Sequence, residues 1–403
     1  MVITLIACVI VFLSASSADK GFFLHLTDLH YDEFYEIGSS EQQDCHRIME
    51  KEVKSHPAGP FGSHRCDSPP ILLEEGIRQM SQLVQDPAFI LMTGDAGRHD
   101  DDILLPRTGK QVKEANARVL QLLLGSFPNV PIIPTIGNND VILHNSLAEG
   151  PNEDLDYLWD LWKTVIPSTQ QQVFLKGGYF SFAFRNLRII SLNTLFFYRK
   201  NLKTTECHVG SIGSRQLDWL RLELTESKAR NQTVYIIGHI APRIEFYFHD
   251  CYNQYLRLVD EFSQWIKGQF YGHTNIDSFT LLPKPDFDEN SMAPKNSILM
   301  LPRRYIGVYY EHPSMIPTFN PSFRAYEFAT ETGVLLNFSQ YYADLEESNE
   351  RNKITFKKEY DPITAYQMKS LELEEWIYLR ERMESDADLY RLFHKHKYVS
   401  SRA

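Results

Sequence analysis

Five times along this chain of 403 residues an apolar run stops at a glycine or threonine and passes directly into aspartate, histidine or asparagine. Phe89-Ile90-Leu91-Met92 breaks into Thr93-Gly94-Asp95, and Gly21-Phe22-Phe23-Leu24-His25-Leu26 into Thr27-Asp28-Leu29-His30. The run from Pro131 to Ile136 gives way to Gly137-Asn138-Asn139-Asp140, that from Thr233 to Ile237 to Gly238-His239, and Gln269-Phe270-Tyr271 to Gly272-His273-Thr274-Asn275. A short apolar run closed by glycine reads as a buried strand, and the residues just after it sit at the rim of a sheet, where α/β enzymes keep their sites. One Gly-Asp is an ordinary turn, and one histidine is an ordinary core residue. Five rim positions filled with Asp, His and Asn make a donor set suited to divalent cations.

Between these runs, apolar residues recur at helical spacing over Pro70 to Val84, Val112 to Leu124, Leu155 to Val165, Ser214 to Leu224 and Tyr255 to Ile266. Strands alternating with helices predict an α/β sheet covered on both faces. A hairpin of Tyr179 to Phe184 with Leu187 to Leu192, turning at Arg185-Asn186, makes the sheet mixed. At 43% hydrophobic the chain has enough apolar side chain for a full core in one large domain or two. Past Pro283 the texture changes to loop at Pro283-Lys284-Pro285-Asp286 and Pro294-Lys295-Asn296. Strands at Tyr305 to Tyr310 and Val334 to Tyr342 follow, then surface helices around Leu371 to Leu379 and Leu389 to Phe393. The expected division is a targeting segment over 1–18, a catalytic domain over 21–285, and an extension over 286–403 packed on it.

The first of these rests on Val2 to Leu13, an apolar run too short to span a bilayer comfortably, followed by the small residues Ser16-Ser17-Ala18. A cleaved signal peptide is the first reading and an uncleaved anchor, the one route to membrane contact, the second. Cysteine usage points to the same secretory compartment, ending in a vacuole, a lysosome-like lumen or the medium. Apart from Cys8 there are Cys45, Cys66, Cys207 and Cys251, an even set without Cys-x-x-Cys spacing. Three pairings are open, and the shorter loops favour Cys45–Cys66 and Cys207–Cys251. Asn231-Gln232-Thr233 and Asn337-Phe338-Ser339 are N-glycosylation sequons. A net charge of -11 excludes a broad nucleic-acid-binding face and requires any anionic substrate to meet a local cationic mouth. Arg98, Arg107, Lys110 and Arg243, close to strand-end motifs, are the residues expected to line it.

The ordered blocks Asp28-x-His30, Gly94-Asp95, Gly137-Asn138-Asn139-Asp140, Gly238-His239 and Gly272-His273-x-Asn275 resemble the signature of the calcineurin-like metallophosphoesterases. Within that superfamily Ser39, the Cys45 to Cys66 loop with Cys66-Asp67-Ser68-Pro69, Arg98-His99-Asp100 and Tyr271-Gly272-His273 are similar to the acid sphingomyelinase branch. Gly-Asn-Asn-Asp followed by His144-Asn145, with Pro106-Arg107-Thr108, Cys251-Tyr252 and Gly-His-x-Asn-Ile-Asp, is similar to the endopolyphosphatases of fungal vacuoles. The resemblance implies a four-layer α/β/β/α sandwich holding two divalent ions, of Zn, Mn, Mg or Co. It places Asp28, His30 and Asp95 on the first ion, with Asp95 bridging and Asn138, His239 and His273 on the second. Asn275 stands where the superfamily has a further histidine; it either ligates through its carbonyl or leaves the place to water. Asn139 stands where many relatives have the histidine that protonates the leaving group. His99 is the first substitute and His144 the second, unless His99 only caps the acidic turn Asp100-Asp101-Asp102.

The implied activity is metal-dependent cleavage of internal phosphoanhydride bonds in inorganic polyphosphate. A phosphodiesterase acting on sphingomyelin or nucleotides is the alternative within enzymes, and a non-catalytic scaffold of the same fold is the alternative outside them.

Overall fold

The computed structural model describes residues 19–48, 57–285 and 305–401. The expected targeting segment, Cys8 and Pro294-Lys295-Asn296 lie outside the described residues. Apolar runs become strands where the pattern predicts them, and they assemble into two six-stranded sheets. The first runs, in spatial order, β12 (Lys357–Tyr360), β11 (Leu335–Tyr342), β10 (Ser322–Ala329), β1 (Lys20–Leu26), β2 (Ile90–Met92) and β3 (Ile132–Pro134). The second runs β4 (Phe180–Phe184), β5 (Leu187–Ser191), β6 (Thr233–Ile237), β7 (Ile266–Tyr271), β9 (Tyr305–Glu311) and β8 (Ser278–Pro283). Both are mixed: β1, β2 and β3 are parallel, as are β5, β6, β7 and β9, whereas β10, β11, β12, β4 and β8 join antiparallel.

Aromatic side chains fill the space between the sheets. Phe23 stacks on Phe89 and Tyr326 of its own sheet at 4.8 and 4.9 Å and meets Tyr235 and Phe270 of the facing sheet, both at 5.5 Å. Such pairs contribute roughly 0.5–1.5 kcal/mol each beyond the area they bury. Helices cover the outer faces. On one side α1 (Pro70–Leu83) and α2 (Gly109–Ser126) pack against each other. Pro70 opens α1, where its missing N–H costs nothing, and Leu72, Leu73, Ile77 and Met80 turn inward. The start of α2 is fixed by a capping box between Thr108 and Gln111. After α3 (Glu153–Trp162) and α4 (Gln171–Gly177), α5 (Ile212–Ala229) and α6 (His249–Phe262) cover the second sheet. The result is the expected α/β/β/α layering, and both expected disulfides, Cys45–Cys66 and Cys207–Cys251, are formed.

The expected boundary near residue 285 is not a boundary in the fold. β10 pairs with β1 in the middle of the first sheet, and β9 pairs with β7 in the second, so the C-terminal segment completes both sheets instead of packing on them. Beyond the short α7 (Leu345–Glu350) and α8 (Pro362–Ala365), α9 (Leu373–Ser385) lies on β8 and β9 and buries Trp376 and Leu379, and α10 (Ala387–Lys397) packs against α9.

Candidate metal centre

The C-terminal ends of β1, β2, β3, β6 and β7 come together at one rim. Backbone bonds tie the turns to one another: Asp28 N–H donates to Gly94 O at 3.0 Å, His30 N–H to Asp95 O at 3.0 Å and Gly272 N–H to His239 O at 2.9 Å. Two glycines allow the close approach. A Cβ on Gly137 would fall 2.1 Å from Asp95 Oδ1, and one on Gly272 would fall 2.0 Å from Thr27 Oγ1 and 2.5 Å from Asp28 Oδ2. Five of the seven expected ligands have backbone in the left-handed region, with φ of 49° at Asp28, 43° at His30, 58° at Asp95, 72° at His273 and 60° at Asn275. Non-glycine residues held there cost on the order of 1–3 kcal/mol each and persist where the surroundings fix them, which is the signature of a site.

The side chains form two adjoining clusters that share Asp95. Donor atoms of Asp28, His30 and Asp95 lie within 4.8 Å of one another, and so do those of Asp95, His239 and His273. In the first, His30 Nδ1 donates to Gly97 O at 3.0 Å, which leaves Nε2 facing Asp28 Oδ1 at 3.7 Å and Asp95 Oδ2 at 3.6 Å. Asp28 Oδ2 accepts from Thr27 Oγ1 at 2.6 Å and from His273 N–H at 2.9 Å. In the second, His239 Nδ1 donates to Thr93 O at 2.8 Å, and its Nε2 meets Asp95 Oδ2 at 3.2 Å, Asn138 Oδ1 at 3.0 Å and His273 Nδ1 at 3.2 Å. His30 and His239 are thus each anchored through Nδ1 to a backbone carbonyl and present Nε2 to the cluster, as metal-binding imidazoles do.

Electrostatics agree. Burial opposes the charge on Asp95, yet His239, the Asn139 N–H and His30 hold its carboxyl well below the usual range. His239 is pushed up to about 9, the lowering effect of burial being outweighed by Asp95 and Asp28. Burial first and His239 second push His273 down to about 4. The residues fit a pair of cations on a further observation: Asn275 Oδ1 is buried without a hydrogen-bond partner. A buried carbonyl oxygen without a partner, two residues after His273, has the chemistry of a metal ligand.

The model of the calcineurin-like phosphoesterase family matches residues 23–277, which include every one of these ligands. The chain belongs to that family. Its C-terminal part, residues 308–402, matches the acid sphingomyelin phosphodiesterase C-terminal region. Among curated relatives, an endopolyphosphatase of Schizosaccharomyces pombe is 30% identical over 92% of this chain and 67% of its own length. A sphingomyelinase phosphodiesterase C of Dictyostelium discoideum is 29% identical over 85% of this chain and 77% of its own length. The chain spans only 38–46% of the length of several other endopolyphosphatases it matches. The solved structure of PhoD, 10% identical, covers 85% of the chain with a TM-score of 0.51 and shows the shared fold.

In this member of the family the other expected site residues are engaged elsewhere. Asn139 is buried, and its N–H and Nδ2 donate to Asp95 Oδ1 and Oδ2 at 2.7 and 2.8 Å, so it orients the shared carboxylate. His144 Nε2 accepts from Asn138 Nδ2 at 2.8 Å, and burial lowers its pKa, so it stays a neutral acceptor that aims the Asn138 carbonyl at His239. His99 does not cap the acidic turn. Asp100 accepts from the Arg107 N–H and Asp102 from His46 and Arg47, whereas His99 stacks on His30 at 4.0 Å and binds Asp67 Oδ1 through Nδ1 at 2.7 Å.

The expected cationic mouth is not built from its four candidates. Arg98 is buried and donates to the carbonyls of His99 and Leu105. Arg107 is buried and donates to those of Arg98, Asn139 and Val141, bracing the turns from behind. Arg243 pairs with the buried Glu311, and Lys110 pairs with Glu114 on α2. Three contributors escaped the sequence reading. Asp140 accepts from the N–H groups of Asp95, Ala96 and Gly137 at 2.7–2.9 Å; Tyr198 Oη lies 3.3 Å from His273 Nε2; and Asp67 holds His99. Of these, Asp67 and Asp140 stand inside quoted motifs, and that is the only signal the sequence offers for them. Among the sequons, Asn231 is exposed, whereas Asn337 on β11 is half-buried, with its Nδ2 3.4 Å from Asp361 Oδ1.

Proposed function

We propose that this chain is a metal-dependent hydrolase that cuts internal phosphoanhydride bonds of inorganic polyphosphate within the secretory pathway, in a vacuole-like lumen or outside the cell. The observation that carries this reading is the likeness to endopolyphosphatase over 92% of the chain, with Asp28, His30, Asp95, His239 and His273 brought together in two clusters that share Asp95. Asp28, His30, Asp95 and Asn275 would hold one divalent ion, and Asp95, Asn138, His239 and His273 the other. When bound, such a pair of ions acidifies a shared water and neutralises phosphoryl oxygens during in-line displacement. Around it, Asn139 and Asp140 fix Asp95 and its turn, His144 aims Asn138, and Asp67 keeps His99 at the edge of the site. The carbonyl of Asn275, where relatives supply imidazole, makes the first position oxygen-rich and favours hard ions such as Mn²⁺ or Mg²⁺ over Zn²⁺.

The test is incubation with long-chain polyphosphate and, separately, with sphingomyelin and a soluble phosphodiester, with and without chelator. Chains of intermediate length appearing before orthophosphate, and abolished by chelator, are expected. Faster turnover of sphingomyelin or the diester would instead favour the second enzymatic reading, which the C-terminal match over residues 308–402 supports. No turnover and no bound metal would favour a scaffold.

A further inference from the structure

The reading above requires a polyanion to be held at the rim of an acidic protein, and of the four expected cations Arg98 and Arg107 are buried while Arg243 and Lys110 are paired with Glu311 and Glu114. A different segment can hold it. Residues 198–203, Tyr198-Arg199-Lys200-Asn201-Leu202-Lys203, pass directly beside the metal centre, since Tyr198 Oη is 3.3 Å from His273 Nε2 and the Tyr198 and His273 rings meet edge to face at 5.4 Å. The loop is anchored throughout. Tyr198 bridges to Tyr247, Arg199 N–H donates to Phe246 O at 2.8 Å, and Leu202 N–H donates to Asn145 O at 2.8 Å. The buried Asn201 amide ties its middle down by donating to the carbonyls of Leu147 and Leu195 and accepting from the Leu147 N–H at 2.9–3.0 Å. With the backbone and Asn201 turned in, Arg199, Lys200 and Lys203 are left exposed. Among the described residues none of the three has an ion-pair partner, unlike Lys110 or Arg243.

We propose that Arg199, Lys200 and Lys203, displayed by this anchored loop, form the subsite that grips a polyphosphate chain beyond the phosphates being cleaved. Three unpaired cations within five residues supply the local positive field that a net charge of -11 denies the rest of the surface. Because the loop is fixed before the ligand arrives, little ordering cost is added on binding. The inference rests on the polyphosphate reading and extends it to chain recognition.

The test compares wild type, R199Q/K200Q/K203Q, and a charge-matched control, K20Q/K163Q/K358Q, all as full chains with unchanged melting temperature. Binding of long-chain polyphosphate by chelated protein is titrated across salt concentrations, and hydrolysis of long chains is set against tripolyphosphate. The expected result for the loop variant is a salt dependence shallower by about two to three charges through reduced counterion release. Its KM for long chains should rise about tenfold at little-changed kcat, with tripolyphosphate and the control unaffected. Equal effects on long and short substrates, or an equal effect of the control, would overturn the subsite while leaving the activity standing. Failure of wild type to cleave or bind polyphosphate would overturn both. Leu202 within the loop and Leu143, two residues before its backbone partner Asn145, are exposed, so anionic vesicles form a separate arm, and a loss confined to vesicle binding also refutes the proposal.

Discussion

The turn that carries His273 and Asn275 is held at its far end by the C-terminal part of the chain, and loosening that hold should weaken the metal centre without touching a ligand. Asp277 closes the turn. Its carboxylate receives the Arg324 guanidinium from β10 and Tyr360 Oη from β12 at 2.6 Å, and its N–H donates to Lys397 O on α10 at 3.0 Å. Arg324 is fully buried, donates through Nε to Gln340 Oε1 at 2.8 Å, and lies 3.8 Å over the Phe338 ring. Arg324→Met keeps most of the volume and leaves Asp277 charged in a dry site, a change that costs about 3–5 kcal/mol in comparable buried pairs. Against a typical total of about 5–15 kcal/mol that is severe. Tyr360→Phe removes one hydrogen bond to the same oxygen and should cost about 1–2 kcal/mol. Arg324→Met combined with Asp277→Leu removes both charges and should regain most of the loss, because an apolar pair of similar volume replaces an ion pair at little cost. Urea unfolding of chelated protein measures these terms, and titration with Mn²⁺ measures the site. The double variant should be folded but bind metal more weakly than wild type. If Arg324→Met costs under about 1 kcal/mol, the pair is not desolvated as described. If the double variant binds metal like wild type, the pair serves the fold alone.

Other expectations are simpler to check. Asp95→Ala should abolish activity and remove both ions by metal analysis, whereas Asn139→Ala should retain protein-bound metal but lower activity about 10–100-fold, the usual effect of losing a partner of a ligand. Since His239 stands at about 9 and must lose its proton to bind metal, apparent metal affinity should climb with pH up to about 9 and level off above it. Calorimetry in buffers of different ionisation enthalpy at neutral pH should register about one proton released, and none would contradict the assignment. His99→Ala should lower polyphosphate cleavage by about tenfold or more, by removing a cation that faces the departing oxyanion, and should lower hydrolysis of an alkyl diester less, because His99 gives up its proton reluctantly. Mass analysis of secreted protein should find glycan at Asn231 and little at Asn337, whose amide is half-buried beside Asp361.

The ligands were legible in the sequence because each lies directly after a run of buried side chains, so one local pattern reports both strand and rim. What escaped depends on long-range partners. β10 carries Arg324 and Glu327 through Ser322–Ala329, a polarity at odds with a central strand unless Asp277, 47 residues away, is known to neutralise the arginine. β12 is Lys-Lys-Glu-Tyr at a sheet edge, where apolar content is not required. Asp67 acts on His99 from 32 residues away, out of a disulfide loop with no periodicity. For Arg98 and Arg107 the sequence supplied charge but not direction, and both turned inward onto backbone carbonyls, Arg98 onto those of His99 and Leu105 and Arg107 onto that of Asn139. The cations of the 198–203 loop were equally visible in the sequence. Only the burial of Asn201, and the bonds it makes, shows that the loop is fixed with those charges outward.

The same geometry bears on which phosphate bond the proposed hydrolase would break. Expelling an alkoxide needs a proton in the transition state, and a general acid works best with a pKa near the working pH. Asn139 is no general acid, because a carboxamide does not ionise at working pH, and it serves instead to hold both oxygens of Asp95. His99 is pushed up to about 9: burial would lower it, but Asp67, itself drawn down to about 2 against its own burial by His99, more than compensates. A histidine so fixed is a standing cation from acidic to neutral pH and a reluctant proton donor. That is poor equipment for an ester. An anhydride differs, because its leaving oxygen belongs to a phosphate whose pKa is about 6 and departs as an anion that a cation stabilises without proton transfer. The Asp67–His99 pair is therefore matched to a leaving group that arrives negative, and it provides for polyphosphate, from within the site, an argument independent of the likeness to any relative.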